Sequence, residues 1–185
     1  RLDEPLGQFI KIYRPNCFDR VGLRFVNAIS REQLGLTGRR WNDLLQPPYL
    51  GILDEDDVDE ASVAKCSVDV ERKLDALAAL KLHAGPGFVQ RNIRSGNQVQ
   101  QVQEKEVRFI FDQDVYSTGK VKVAAVAETL NALHAHSDSV FSDAIMLSAP
   151  DLRWANSALT TFIRSNLLLN ISFRTILTAA KVVKS

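Results

Sequence analysis

Arg24, Asp112 and Asp114 are the side chains most able to form a site on one face of a sheet. The two aspartates lie two residues apart in a predicted strand, so they point the same way with about 7 Å between them. If the strand that carries Arg24 is a neighbour, its guanidinium could hold one carboxylate bidentately. The pattern favours a cross-strand ion pair. Two alternatives stay open: a small-anion or ligand pocket at Arg24, and a Mg²⁺ site at Asp112 and Asp114.

Asn27 lies in the same predicted strand as Arg24 but on its opposite face. Successive strand residues alternate between faces, and the face that carries Asn27 is otherwise apolar. A buried amide needs hydrogen-bond partners, and an asparagine near a strand end can bind backbone groups of the adjoining loop. We therefore interpret Asn27 as a structural polar residue and not as part of a site with Arg24.

A second group of charges, Asp69, Glu71 and Lys73, alternates along one face of another predicted strand. An acid followed by E-x-K on a strand resembles the pattern of metal-dependent nucleases of the restriction-endonuclease type. E-x-K is also common by chance, and a solvent-exposed ladder of charges explains it equally well. A nuclease therefore remains an alternative hypothesis and the charge ladder the preferred one.

The stretch DEDDVDE, residues 54–60, has six acidic residues among seven. Calcium is a conceivable ligand, but the stretch lacks the glycine and the terminal glutamate of an EF-hand loop. Like charges repel one another and favour exposure to solvent. The stretch is therefore predicted to be a solvated acidic loop.

The histidines and cysteines of the sequence form no pattern that predicts a catalytic residue or a cofactor. His134 and His136 are two apart on a predicted helix, so they do not face each other, and His83 lies on a separate segment. No histidine and cysteine residues stand at zinc-ligand spacing, and Cys17 and Cys66 have no neighbouring base in sequence. The chain also lacks the glycine-rich phosphate loops and the G-x-S-x-G motif.

These side chains require a scaffold, and the hydrophobic pattern predicts an α+β fold. Alternating apolar residues indicate an antiparallel sheet of about four strands joined by short turns. The third strand also fits a helix, but alternation favours a hairpin with its turn near Asp75–Leu77. The strands are predicted near 20–30, 61–74, 78–84 and 105–116.

Apolar residues at spacings of three and four predict two helices, over residues 1–14 and 121–145. The second is long and amphipathic, so we expect the sheet to pack against it. The glutamine-rich stretch 88–104 has no comparable pattern and is predicted to be a long loop.

Composition is that of an ordinary globular protein, with 45% hydrophobic residues. Residues 1–153 are expected to form a single domain, and 154–185 a basic, apolar extension that is either helical or not native sequence. Five basic residues and no acidic one follow Asp151, so the body carries a net negative charge. We therefore do not expect it to bind nucleic acid. Two unpaired cysteines and the lack of a signal peptide or a membrane-length apolar run favour the cytoplasm.

Several motifs resemble, in the same order, those of a sporadically distributed prokaryotic family of uncharacterised proteins. That family has an R-[IV]-G-L-R-[YF]-x-N strand, a tryptophan-leucine-proline segment, a D-x-D strand and a final helix with L-H. The resemblance covers roughly residues 5–153, and it implies that the family's N-terminal part has no counterpart here. The matching residues are Arg20, Gly22, Leu23, Arg24, Phe25, Asn27, Trp41, Leu44, Pro47, Asp112, Asp114, Leu133 and His134.

The family has no established activity, so the resemblance implies an architecture and no reaction. We expect a non-catalytic, cytoplasmic interaction module of a prokaryote, accessory to a mobile or defence-type gene cluster. We expect it to bind a protein, either a different one or a second copy of this chain, and we do not expect it to bind a membrane. The alternatives are a metal-dependent nuclease or other nucleic-acid-acting enzyme, and a small-anion-binding protein that uses Arg24.

Overall fold

The described chain runs from one helix through a series of strands to a second helix, in the order that the hydrophobic pattern predicts. The computed structural model describes residues 3–95 and 98–146. The elements are α1 (Asp3–Tyr13), β1 (Cys17–Phe18), β2 (Gly22–Ile29), β3 (Val68–Lys73), β4 (Ala78–Ser95), β5 (Gln98–Ser117), β6 (Val121–Lys122) and α2 (Val126–Ala144).

Four of the strands form one antiparallel sheet in the order β2-β5-β4-β3. The predicted α+β class, with an antiparallel sheet packed against a C-terminal helix, is confirmed. The short strands β1 and β6 pair separately. The third strand follows a tight turn, as predicted, in which the Asp75 carboxylate accepts hydrogen bonds from the backbone N–H groups of Leu77 and Ala78 at 2.6 and 2.7 Å.

One face of the sheet forms the core, because apolar residues recur at every second position of its strands. On β5 these are Phe109, Phe111 and Val115, all fully buried. Helix α2 covers part of this face with residues at helical spacing, among them Leu133 and Phe141. The ring of Phe141 lies 5.5 Å from that of Phe111, centroid to centroid.

The connection between β2 and β3 covers another part of the same face. It contains short 3-10 turns, where Pro47 and Pro48 prevent a longer helix. The turns bury large apolar side chains, and Trp41 packs 5.3 Å from Phe109 between ring centroids. Just before β3 the connection passes close to Gly85 of β4, where a Cβ would collide with the carbonyl oxygen of Cys66.

Strands β4 and β5 continue well beyond the rest of the sheet. From the pair Gly87–Arg108 outwards, and within the part of the chain that the structure describes, they pair only with each other, which defines a two-stranded ribbon of residues 87–95 and 98–108. At about 3.3 Å per residue the ribbon is about 30 Å long. The predicted loop over 88–104 is therefore wrong for 88–95 and 98–104, because these residues form two strands that pair with each other through their backbones.

The ribbon contains one irregularity close to its base. Phe88 pairs with Val107 and Gln90 with Gln103, so residues 104–106 of β5 stand opposite the single residue Val89 of β4. Such a bulge bends the strand that carries the extra residues.

Two further expectations concern the ends and the environment of the chain. The predicted extension over 154–185 lies outside the described residues. Within the described residues no helix is both long and apolar enough to cross a lipid bilayer.

Candidate functional site

The sheet face opposite the core carries most of the charged residues singled out above. Arg24 binds Asp112 bidentately, with its Nε 2.8 Å from Oδ1 and its Nη2 2.5 Å from Oδ2. Half of the Arg24 side chain is exposed, against 17% of Asp112. The hydrogen bond to Asp112, followed by the attraction of its charge, raises the pKa of Arg24. Two of the three predicted site residues are thus joined as an ion pair.

Asp114 is held by a different arginine. In the β2–β5 register Asp114 lies directly opposite Arg24, yet it accepts a hydrogen bond from Nη2 of Arg20 at 2.7 Å. The guanidinium of Arg20 also stacks over the ring of Tyr116, 4.2 Å from its centroid. Asp112 and Asp114 therefore have separate cationic partners and do not share one cation.

The E-x-K strand carries a ladder of charges across the sheet. Glu71 accepts a hydrogen bond from the Tyr116 hydroxyl at 2.7 Å and lies 3.4 Å from Nζ of Lys81. The Tyr116 hydrogen bond lowers the pKa of Glu71, and the same bond raises the pKa of Tyr116. Asp69 lies 2.7 Å from Nδ1 of His83.

The acids of β3 and β5 stand on opposite sides of β4, roughly 10 Å apart at the usual strand spacing. In the described part of the chain no three His, Cys, Asp or Glu side chains are placed to hold a metal ion together. The two acidic groups considered for a nuclease are therefore not brought together.

The acidic stretch 54–60 wraps around a partly buried cationic group. The Arg40 guanidinium donates hydrogen bonds to the carbonyls of Glu55, Asp56 and Val58 at 3.0, 3.2 and 2.9 Å. Glu60 lies 2.8 Å from Arg31 and accepts a hydrogen bond from the backbone N–H of Trp41. The loop is thus fixed through its backbone and Glu60, while the Asp56 side chain is fully exposed.

Asn27 lies on the core face of β2, opposite Phe111, and is half-buried. Its side chain makes no hydrogen bond to any residue that the structure describes. The predicted loop-fixing role therefore stays a prediction.

The histidines occupy three separate places, as their sequence spacing implies. His136 lies 2.8 Å from Asp75 of the β3–β4 turn, and His134 lies 3.0 Å from Asp138 one helical turn away. Cys17 in β1 and Cys66 in the connection before β3 are free thiols.

The base of the ribbon carries a charged anchor that sequence reasoning missed. Arg108 is almost fully buried between Glu104 at 2.6 Å and Glu106 at 3.1 Å. The Glu106 carboxylate also accepts hydrogen bonds from the Ser30 hydroxyl at 2.7 Å and from the backbone N–H of Glu32 at 3.0 Å.

Burial by itself raises the pKa of Glu106, but these hydrogen bonds and the charge of Arg108 outweigh it and leave the pKa lowered. The anchor joins the bulge to the turn after β2. Because Ser30 and Glu106 are 76 residues apart, no local pattern reveals their contact.

A groove of about 920 Å³ opens beside this anchor, between the acidic loop and the start of the ribbon, and is called the base groove below. Two of its apolar side chains, Phe88 and Val107, are opposite each other on the ribbon and are 52% and 38% exposed. Exposed apolar side chains flanked by polar ones are typical of binding surfaces. The apolar lining includes Trp41, Leu53, Val63, Phe88 and Val107, and the charged rim includes Asp56, Asp57, Asp59 and Lys65.

In comparisons with known proteins, no family model, curated protein or solved structure gave a significant match to the chain.

Proposed function

We propose that the chain is a non-catalytic interaction module that binds a protein partner with its ribbon and base groove. The observation that carries the proposal is the exposure of Phe88 and Val107 on two strands that, among the described residues, pair only with each other there. An isolated two-stranded ribbon is marginally stable in water. A partner that covers Phe88 and Val107 would bury apolar area that these two side chains expose.

The base groove gives this partner a place to insert side chains. It is concave, it has an apolar lining, and its volume is within the range of about 300–1,000 Å³ that is usual for binding sites. The neighbouring ribbon offers backbone N–H and C=O groups along both of its edges, which an extended segment can pair with. The combination supports recognition of a protein segment over recognition of a small ligand.

The cellular setting of this proposal rests on the family resemblance and, for the cytoplasm, also on the two cysteines, which form no disulfide framework. It is the cytoplasm of a prokaryote, where the module would be an accessory component of a mobile or defence-type gene cluster. The acidic body of the chain supports a protein partner over nucleic acid, which attracts basic surfaces.

The test is recovery of a partner from the native host with the tagged chain as bait. We expect a stoichiometric protein partner that is lost with Phe88→Ser, because the substitution removes apolar area from the groove. Leu77→Ser is the matched control, since Leu77 is also an exposed apolar residue but lies in the β3–β4 turn. Loss of the partner with Leu77→Ser and not with Phe88→Ser would refute the site, and co-purification of nucleic acid alone would refute the module.

The nuclease and anion-binding alternatives have weaker support. Asp112 and Asp114 already accept hydrogen bonds from arginines, and Arg24 directs Nε and Nη2 at Asp112. Titration of the parent chain and of Asp112→Asn with Mg²⁺ or Mn²⁺ tests the metal site by calorimetry. Binding heat that is present in the parent and absent in Asp112→Asn would support the nuclease hypothesis. Absence of binding heat in both chains would exclude a metal site at Asp112.

A further inference from the structure

Among the residues that the structure describes, strand β2 forms one edge of the sheet and half of its backbone groups have no partner. Next to it, the backbone N–H of Ser117 donates to the carbonyl of Val21 at 2.8 Å. Backbone groups in an antiparallel ladder alternate in direction, so the odd-numbered residues of β2 point to β5 and the even-numbered ones point outwards. Among the described residues no hydrogen bond reaches the outward groups of Gly22, Arg24, Val26 and Ala28.

The two edges of the sheet differ in how they are protected from pairing. Natural edge strands commonly carry charged side chains that prevent association with another chain. At the other edge, β3 has four exposed charged residues among six: Asp69, Glu71, Arg72 and Lys73. In β2 the sole charged residue of eight is Arg24, and its guanidinium is drawn across the sheet to Asp112.

Val26 at the middle of β2 adds apolar area to this edge. Its side chain lies on the charged face of the sheet and is 42% exposed. A strand whose sole charge is already paired, with free backbone groups and an exposed apolar centre, is suited to pairing with another strand.

We propose that β2 pairs with β2 of a second copy of this chain, antiparallel and about a two-fold axis at Val26. The outward groups then pair among themselves, with Val26 opposite Val26 and Arg24 opposite Ala28 of the other copy. No like charges meet directly, because Arg24 faces an alanine and is already paired with Asp112. The strand is thus complementary to itself, and the sheet continues across the two copies.

This inference is independent of the proposed function, because neither the ribbon nor the base groove takes part. A pairing through one strand buries less area than a standard interface, so we expect a weak, concentration-dependent dimer.

Light scattering coupled to size-exclusion chromatography tests the pairing with the full chain over a range of concentrations. The mass is expected to rise from 20.6 kDa towards twice that value. Val26→Lys and Val26→Glu each place like charges opposite one another at the axis, and each should raise the dissociation constant at least about tenfold. An equimolar mixture of the two variants should restore the dimer, because lysine then faces glutamate.

Arg72→Glu is the matched control on the β3 edge and should dimerise like the parent. Thermal unfolding establishes that each variant is folded, and the recovery in the mixture does so independently. The proposal would be overturned if the parent chain stayed monomeric up to about 1 mM. At that concentration only a dimer with a binding free energy weaker than about −4 kcal/mol would escape detection. Undiminished dimers of both Val26 variants, or a mixture that stays monomeric, would also overturn the proposal.

Discussion

Arg24 binds Asp112 and not Asp114, although Asp114 is its direct neighbour across the β2–β5 ladder. The direct neighbour is taken by Arg20, which approaches from the turn before β2 and stacks on Tyr116. Each arginine therefore pairs with a different aspartate, and the two ion pairs lie side by side on the open face of the sheet.

A double-mutant cycle with Arg24→Ala and Asp112→Asn should give a coupling free energy of about 0.5–1 kcal/mol, since half of Arg24 is exposed and solvent weakens the attraction. Urea unfolding of the four chains measures it, and added salt should reduce it. The cycle of Arg24→Ala with Asp114→Asn is the control and should give a smaller value. Equal couplings in the two cycles would contradict the pairing.

Gln113→Met should raise the free energy of unfolding by about 1 kcal/mol. Gln113 is fully buried, and its Nε2 has no hydrogen-bond partner among the described residues. Its Oε1 has only a long contact of 3.4 Å with the Ser137 hydroxyl. Methionine keeps a similar shape and removes the unpaired amide. Chemical denaturation tests the change, and a loss of stability would show that Nε2 is satisfied in solution.

Asp75→Asn should flatten the acid limb of the stability profile. The hydrogen bond from the Leu77 N–H, with those from His136 and the Ala78 N–H, lowers the pKa of Asp75 below its ordinary 3.8. A lowered folded-state pKa contributes stability above the unfolded value of 3.8, and this contribution is lost as pH falls through the folded-state pKa. Asparagine retains the acceptor oxygen for the turn and removes the charge.

Urea midpoints measured from about pH 2 to about pH 7 test this expectation, because an aspartate with a lowered pKa takes up its proton below about pH 4. The stability of Asp75→Asn should fall less than that of the parent over the acid range. Asp57→Asn is the control, since Asp57 is an exposed acid in the loop 54–60. A parallel acid limb for Asp75→Asn and the parent would refute the assignment.

Arg108→Met should destabilise the protein by about 3 kcal/mol, because it leaves Glu104 and Glu106 close together without their buried cation. Hydrogen exchange should rise most in the ribbon, which the anchor joins to the turn after β2. Lys105→Ala, an exposed neighbour on the same strand, should change the unfolding free energy by less than about 0.5 kcal/mol. Equal effects of the two substitutions would argue against the anchor.

The sheet and α2 could be predicted because each has one buried face. Phe109, Phe111 and Val115 lie on one face of β5, and Leu133 and Phe141 recur on α2, so burial is visible as a period in the sequence. The ribbon could not be predicted in this way, because its strands are held by backbone hydrogen bonds, which leave no trace in the side-chain pattern.

The residues of the candidate site could be predicted from the sequence, but which arginine pairs with which aspartate could not. Alternation places Arg24 and both aspartates on the face opposite the core. Which aspartate Arg24 contacts depends on the direction of its long side chain and on competition from Arg20. The contacts of Glu106 with Ser30 and Arg108 depend on a bulge in β5. They are visible in the three-dimensional structure and could not be predicted from the sequence.

The bulge at residues 104–106 also restricts how the length of this segment can change. Three residues of β5 stand opposite one residue of β4, so the excess is two, an even number. Deleting two of them would straighten the strand and leave Val102 and Gln103 on their present faces. Deleting one would reverse both, because strand side chains alternate with a period of two. Any two of these three residues include Glu104 or Glu106, so a deletion that keeps both faces also removes a carboxylate that binds Arg108.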